Sequence, residues 1–291
     1  MTAPASNRSS AITPSANPFA SLSPRVQDYL TALLSMTQSR SRPPVSLILF
    51  GSAAQGDFQE HTSDVDLLLV LEDGASRAEI SATREAIWEL ERKHSLRSVP
   101  RGFIQTMTDY LGGSLFSCFV CTRADLLSGE VGRVLGLSPI EAALTNRSVL
   151  ASILLSARTV WGEPLIEKAA LLPLRRLDVW LSWLSFVNQL SMTYFAMLLF
   201  REATRYAMGA LKRSLHAGYF FYTLRTAPLE EEIRFFKERL GPRRAFDELL
   251  ALRQAYHPSW GFALRCGGLI TELHLRALRD NPFPRTLPPS G

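Results

Sequence analysis

The chain has 291 residues, 46% of them hydrophobic and 20% charged. That excludes a disordered or fibrous protein and is enough to bury one large or two modest cores. Three cysteines are too few and too odd a count for a disulfide framework and suit a reducing cytoplasm. The net charge of +5 is modest and dispersed, which ranks nucleic acid below other partners.

Residues 1–23 are mostly Ser, Ala, Pro and Asn with no acid, and they lack the apolar stretch of a secretory signal. They read as a disordered tail, with a weak transit peptide as the alternative. Pro24 to Arg40 carries Val26, Leu30, Leu33 and Leu34 at helical spacing, and Pro43-Pro44 ends it. Val45 to Phe50 is an uncharged run that reads as a strand covered on both faces, and Gly51-Ser52 breaks it. A glycine there lets backbone approach a ligand, and its amide with the Ser52 hydroxyl can donate to phosphate oxygens. Asp64-Val65-Asp66 then opens a second apolar strand. Strand side chains alternate, so the two carboxylates share a face while Val65 points inward, a clamp suited to hard cations such as Mg²⁺.

Ala78 to Lys93 reads as an amphipathic helix with Ile80, Ile87 and Leu90 as its core stripe. The segments "GFIQTMT" and "SLFSCFVC", parted by Gly112-Gly113, read as strands. Cys118 and Cys121 suggest a zinc or redox pair, but on a strand residues three apart face opposite ways, so both are expected to be structural. From Ser138 onward the pattern is helical: Ile140 to Trp161, Leu174 to Phe200, Arg201 to Leu224, Leu229 to Leu240, Arg244 to Tyr256 and Phe262 to Leu278. Within it Val179 to Phe200 is free of charge over 22 residues, long enough to cross a bilayer. Ser182, Ser185, Asn188 and Gln189 on one side favour a helix buried in a bundle instead. Residues 281–291 read as a proline-rich tail.

The stretch from Val45 to Leu71 resembles the signature of the polymerase-β-like nucleotidyltransferase superfamily: an apolar residue, Gly-Ser, about a dozen residues, then Asp-x-Asp between hydrophobics. "GSAAQG" is similar to the "GSxARG" of the minimal and aminoglycoside-type members, with Gln55 in place of the arginine. The resemblance implies an α/β (α+β) nucleotidyltransferase core with a small mixed sheet over residues 24–136, followed by an all-α helical bundle over 137–280. It implies transfer of a nucleoside monophosphate from a nucleoside triphosphate, ATP first among them, to a hydroxyl acceptor. Asp64 and Asp66 would hold two Mg²⁺ or Mn²⁺ ions, and Gly51 and Ser52 would meet phosphate.

The half before residue 137 holds 12 basic and 14 acidic residues and the half after it 20 and 13, so an acidic metal-binding half would face a basic one across the nucleotide. Arg201, Arg205, Lys212 and His216 fall within about 60° on one helix face. They are either a solvated surface or a stripe reaching the β- and γ-phosphates, as a helical-domain lysine does in relatives. Active relatives also carry a third acid on a later strand, and here neither strand holds one. Gln105 occupies a plausible slot and Asp109 lies just past it. Two readings follow: an active transferase acting on a small-molecule, protein or RNA hydroxyl, or an antitoxin-like binding member without transfer.

Overall fold

The computed structural model describes residues 19, 22–40, 42–55, 65–96, 118–198 and 204–287, apart from the side chains of Ser52 and Gln55. Asp64, Gln105, Asp109 and Arg201 lie outside them, as does the "GFIQTMT" segment.

Helix α1 (Pro24–Gln38) leads into strand β1 (Pro44–Phe50), and helix α2 (Gly51–Gln55) follows at once. Strand β2 (Asp66–Leu71) and helix α3 (Arg77–Lys93) come next, the helix started by a reciprocal cap between Ser76 and Glu79. Strand β3 (Cys118–Thr122) leads to short helices α4 (Arg123–Ser128), α5 (Val131–Val134) and α6 (Pro139–Leu144), then α7 (Arg147–Ser156). The chain then returns to the sheet as strand β4 (Arg158–Gly162).

The four strands run in the order β3-β2-β1-β4, with β2 parallel to β3 and the other two pairings antiparallel. This is the small mixed sheet expected. A single helix from Ile140 to Trp161 is not what forms: two short helices and an edge strand occupy that span. The sheet therefore recruits its fourth strand from beyond residue 136, because β1 has an open edge that Thr159 and Trp161 can pair with.

Period-two burial sorts the sheet into two layers. Leu47, Leu49, Leu67, Leu69 and Cys118 pack with Tyr29, Leu30 and Leu33 of α1. Ile48, Phe50, Leu68, Val70 and Cys121 pack with Leu126 of α4 and Leu150 and Leu154 of α7. Cys118 and Cys121 thus face opposite layers as free, buried thiols, and burial pushes both thiols well above their ordinary range.

The remaining helices form a bundle: α8 (Arg176–Met197), α9 (Thr204–Thr223), α10 (Leu229–Leu240), α11 (Arg244–Gln254) and α12 (Trp260–Asp280). Its core joins Leu211 and Leu215 of α9 to Ile233, Phe236, Phe246, Phe262 and Ile270. Among the described residues no helix is long and apolar enough to cross a membrane. Helix α8 packs on α9 and α12, but it is not enclosed on every side: Trp180, Leu184 and Phe195 remain exposed.

Bundle and sheet are locked together at α7. Asp178, buried on α8, accepts the Arg147 amide at 2.9 Å through Oδ1 and the Arg175 amide at 2.7 Å through Oδ2. Phe220 and Phe221 of α9 share a core with Ala151 of α7. The expected tails also contribute. Phe19 is buried against the α1 layer, Leu287 is buried, and Arg285 exchanges backbone hydrogen bonds with Leu174, so apolar side chains in both segments find core to fill.

Candidate active site

Phe50, the last residue of β1, pairs across the sheet with Asp66, the first of β2. The chain must turn sharply at the end of β1, and Gly51 does so at φ +67°, a left-handed conformation that costs an L-residue about 1–2 kcal/mol. A second constraint acts at the same atom. A Cβ on Gly51 would lie 2.3 Å from Asp66 Oδ2, so the carboxylate occupies the space a side chain would need. Ser52 follows Gly51 in α2, and Asp66 shares its sheet face with Leu68 and Val70. Backbone amide, open turn and half-buried carboxylate are therefore adjacent, the arrangement expected of a phosphate and metal site.

The helical half carries a candidate cation. Lys212 of α9 is half-buried, and burial lowers its pKa, assisted by the Arg253 and Arg213 cations and opposed by the carboxylates of Asp66 and Glu232. Lys212 forms no hydrogen bond or ion pair among the described residues, so its ammonium is available to an anion. Arg205 goes elsewhere: it is exposed, with its guanidinium 4.7 Å above the Tyr256 ring. Of the expected stripe, Arg205 lies on the aromatic ring of Tyr256, whereas Lys212 is half-buried farther along the helix.

Three further groups act on Lys212 that sequence reasoning did not single out. Glu232 of α10 is 1% exposed and meets His216 Nδ1 at 2.6 Å. Burial raises its pKa, while the His216 contact and Lys212 pull it down. Its Oε2 is buried without a hydrogen-bond partner. Arg213 buries its Nε with no hydrogen-bond partner among the described residues, and burial lowers its guanidinium to about 10. Arg253 of α11 is exposed, and its charge acts on Lys212 from a distance. In the sequence Glu232 is one of three consecutive glutamates opening a helix, a pattern explained by the helix dipole alone. Arg213 lies off the stripe by about 60° or more.

The described residues contain no cluster of three or more His, Cys, Asp or Glu able to hold a metal. Asp66 is the described part of the clamp; its partner Asp64 and both third-acid candidates, Gln105 and Asp109, lie outside.

Residues 31–108 match the family model of a nucleotidyltransferase domain. No curated protein matches the chain significantly. Among solved structures, the fold is similar to a spectinomycin adenyltransferase, AAD(9), from Enterococcus faecialis, crystallised with ATP and spectinomycin. The two share 11% identity over 87% of this chain and 98% of that one, with a TM-score of 0.50.

Proposed function

We propose, from the premise that the chain carries a nucleotidyltransferase domain and is a transferase enzyme, that it moves a nucleoside monophosphate from ATP to the hydroxyl of a small-molecule acceptor. The observation that supports this most is the Asp66 carboxylate set directly over the Gly51 turn, within the segment that matches the nucleotidyltransferase domain. A triphosphate laid there would meet backbone amides, and Lys212 of the helical half would bring a desolvated ammonium. Such an ammonium attracts phosphate more strongly than a solvated one, since the field is less screened.

The donor set fits a hard divalent cation. Asp66 offers carboxylate oxygen over the Gly51 turn, and Asp64 precedes it by two residues. Asp64 and Asp66 would hold two Mg²⁺ or Mn²⁺ ions. The chemistry such ions supply is charge stabilisation at the α-phosphate and a lowered pKa for the attacking hydroxyl. The Gly51 and Ser52 amides would orient the phosphates, Lys212 would neutralise charge building on the departing pyrophosphate, and the helical half would screen the cleft from water. A cytoplasmic setting, which supplies ATP and Mg²⁺ and keeps thiols reduced, agrees with the three free cysteines.

The test is incubation with [α-³²P]ATP or [γ-³²P]ATP, Mg²⁺ and a panel of hydroxylated acceptors including spectinomycin. Label from the α-position should appear on an acceptor with release of unlabelled pyrophosphate. Transfer of γ-label alone would rule the reading out, and Mg·ATP binding with no transfer to any acceptor would favour the antitoxin-like alternative.

A further inference from the structure

Large apolar side chains left in water gather on one side of the helical half. Of the eleven exposed among the described residues, eight sit on α8, at its C-cap or on α12. On α8, Leu177, Trp180, Leu184, Phe195 and Leu198 fall within about 60° of one another at about 100° per residue, and the buried Ser182, Gln189 and Thr193 lie on the opposite side. Trp260, Leu264 and Leu275 form a second such stripe on α12. The two helices run antiparallel side by side, with Ser182 Oγ 3.0 Å from His274 Nε2 and the Tyr194 hydroxyl donating to the Ala263 carbonyl at 3.1 Å. Trp180 meets Trp183 edge-on, 5.7 Å between ring centres, and Trp183 donates to Thr271 at 3.2 Å. Thr271 lies within about 40° of Leu264 and Leu275 on α12, so the two stripes make one continuous face.

Each of the eight side chains is 46% to 73% exposed. At about 100 Å² for a half-exposed large side chain, they bare about 800 Å², more than the largest apolar patch of an ordinary monomer and the share each partner brings to a standard interface. The face is also free of charge. No charged residue occurs from Val179 to Phe200, and on α12 Arg265, Glu272 and Arg276 stand about 80° or more from Leu264. Those arginines are already paired, Arg265 with Glu248 at 2.6 Å and Arg276 with Glu272 at 3.2 Å, which leaves no free cationic rim for an anionic bilayer. A neutral face meets its own copy without repulsion, whereas an acidic or basic partner finds no counter-charge on it. We propose that the α8 and α12 face is the surface on which two copies of this chain associate about a two-fold axis. In an antiparallel pairing of α8 with its copy, Leu184 faces Phe195 and Trp180 faces Leu198, each contact made twice. Ser191 then falls close to the axis, where its small side chain lets the helices approach. Its hydroxyl already donates to the Val187 carbonyl at 2.9 Å, so burying it strands no donor. Such pairing is independent of what the Asp66 corner binds.

The test is sedimentation equilibrium of the full chain, which at about 50 µM should give twice the chain mass, since interfaces of this size hold at micromolar concentration or below. Leu184→Glu puts a carboxylate from each copy into the apolar contact and should weaken association about 10²-fold or more, with the circular dichroism of wild type retained because Leu184 is exposed in the monomer. Ile140→Glu, equally exposed but on α6, should leave the protein dimeric. All three native thiols are buried, so Ser191→Cys should be joined into a covalent dimer by mild oxidation, and adding Leu184→Glu to that chain should abolish the joining. A wild type that stays monomeric would overturn the proposal, and flotation of that monomer with phosphatidylcholine vesicles would assign the face to a bilayer instead. A dimer that persists in Leu184→Glu, or one whose Ser191→Cys variant does not cross-link, would overturn it equally, because association then uses another surface.

Discussion

Replacing Gly51 with alanine tests the architecture of the corner in two separable ways. The first cost is backbone: φ of +67° strains an L-residue by about 1–2 kcal/mol, offset by about 0.4–1 kcal/mol from a less flexible unfolded chain. The second is contact, since the new methyl would sit 2.3 Å from Asp66 Oδ2 and 3.3 Å from its Cγ, far inside the roughly 3.5 Å at which such atoms rest. Asp66 has a short side chain and no remote end to bend, so its carboxylate must leave its place. Gly51→Ala should therefore lose about 2 kcal/mol of stability in urea denaturation and at least tenfold in Mg·ATP affinity. In an Asp66→Ala background the nearest surviving atom is Asp66 Cβ at 3.4 Å, an ordinary contact, and the same substitution should cost about 1 kcal/mol, the backbone part alone. Equal costs in the two backgrounds would refute the claim that the Asp66 carboxylate fills the space above the turn.

Lys212→Ala should weaken Mg·ATP binding at least tenfold while leaving adenosine affinity unchanged, because its charge meets phosphate; equal ATP affinity in a calorimetric titration would return α9 to a merely solvated role. His274 is buried with its pKa lowered from 6.5 to about 4 by desolvation, so between those values the unfolded chain binds the extra proton. Its contribution is complete above about pH 6.5 and is lost on acidification toward pH 4, at up to about 1.4 kcal/mol per unit. Urea midpoints across that window should show a flatter slope in His274→Gln, and an identical slope would argue against a neutral buried ring. Asp178→Ala leaves the Arg147 and Arg175 amides without their acceptor and should cost about 2–3 kcal/mol; a loss under 0.5 kcal/mol by chemical denaturation would show that α7 and α8 are held by apolar packing alone.

The strand, turn and strand around Gly51 were legible because their signals are local. An uncharged run, a glycine and a second apolar run each act within a few residues, and the observed β1 and β2 match them. Strand β4 was not legible. Arg158 to Gly162 continues an apolar spacing compatible with helix, and only the open edge of β1, more than a hundred residues earlier, makes it a strand. The setting of Arg205 has the same origin: helical angles place it on one face with Lys212, but that its guanidinium lies over the Tyr256 ring is decided by the fold. Glu232 was hidden for the opposite reason, since a Glu-Glu-Glu run at a helix start explains itself without a site. Asp64, Gln105 and Asp109 fall outside the described residues, so their assignment continues to rest on sequence.

The central claim is that Asp66, over the Gly51 turn, forms a metal-dependent nucleoside triphosphate site. Calorimetric titration of ATP into wild type and Asp66→Ala, each with and without Mg²⁺, tests it most directly. The account predicts binding by wild type that requires Mg²⁺ and is lost in Asp66→Ala, while the variant melts no lower than wild type because a carboxylate has been removed from an acidic corner. Equal Mg·ATP affinity in the two proteins, or binding indifferent to Mg²⁺, would contradict it.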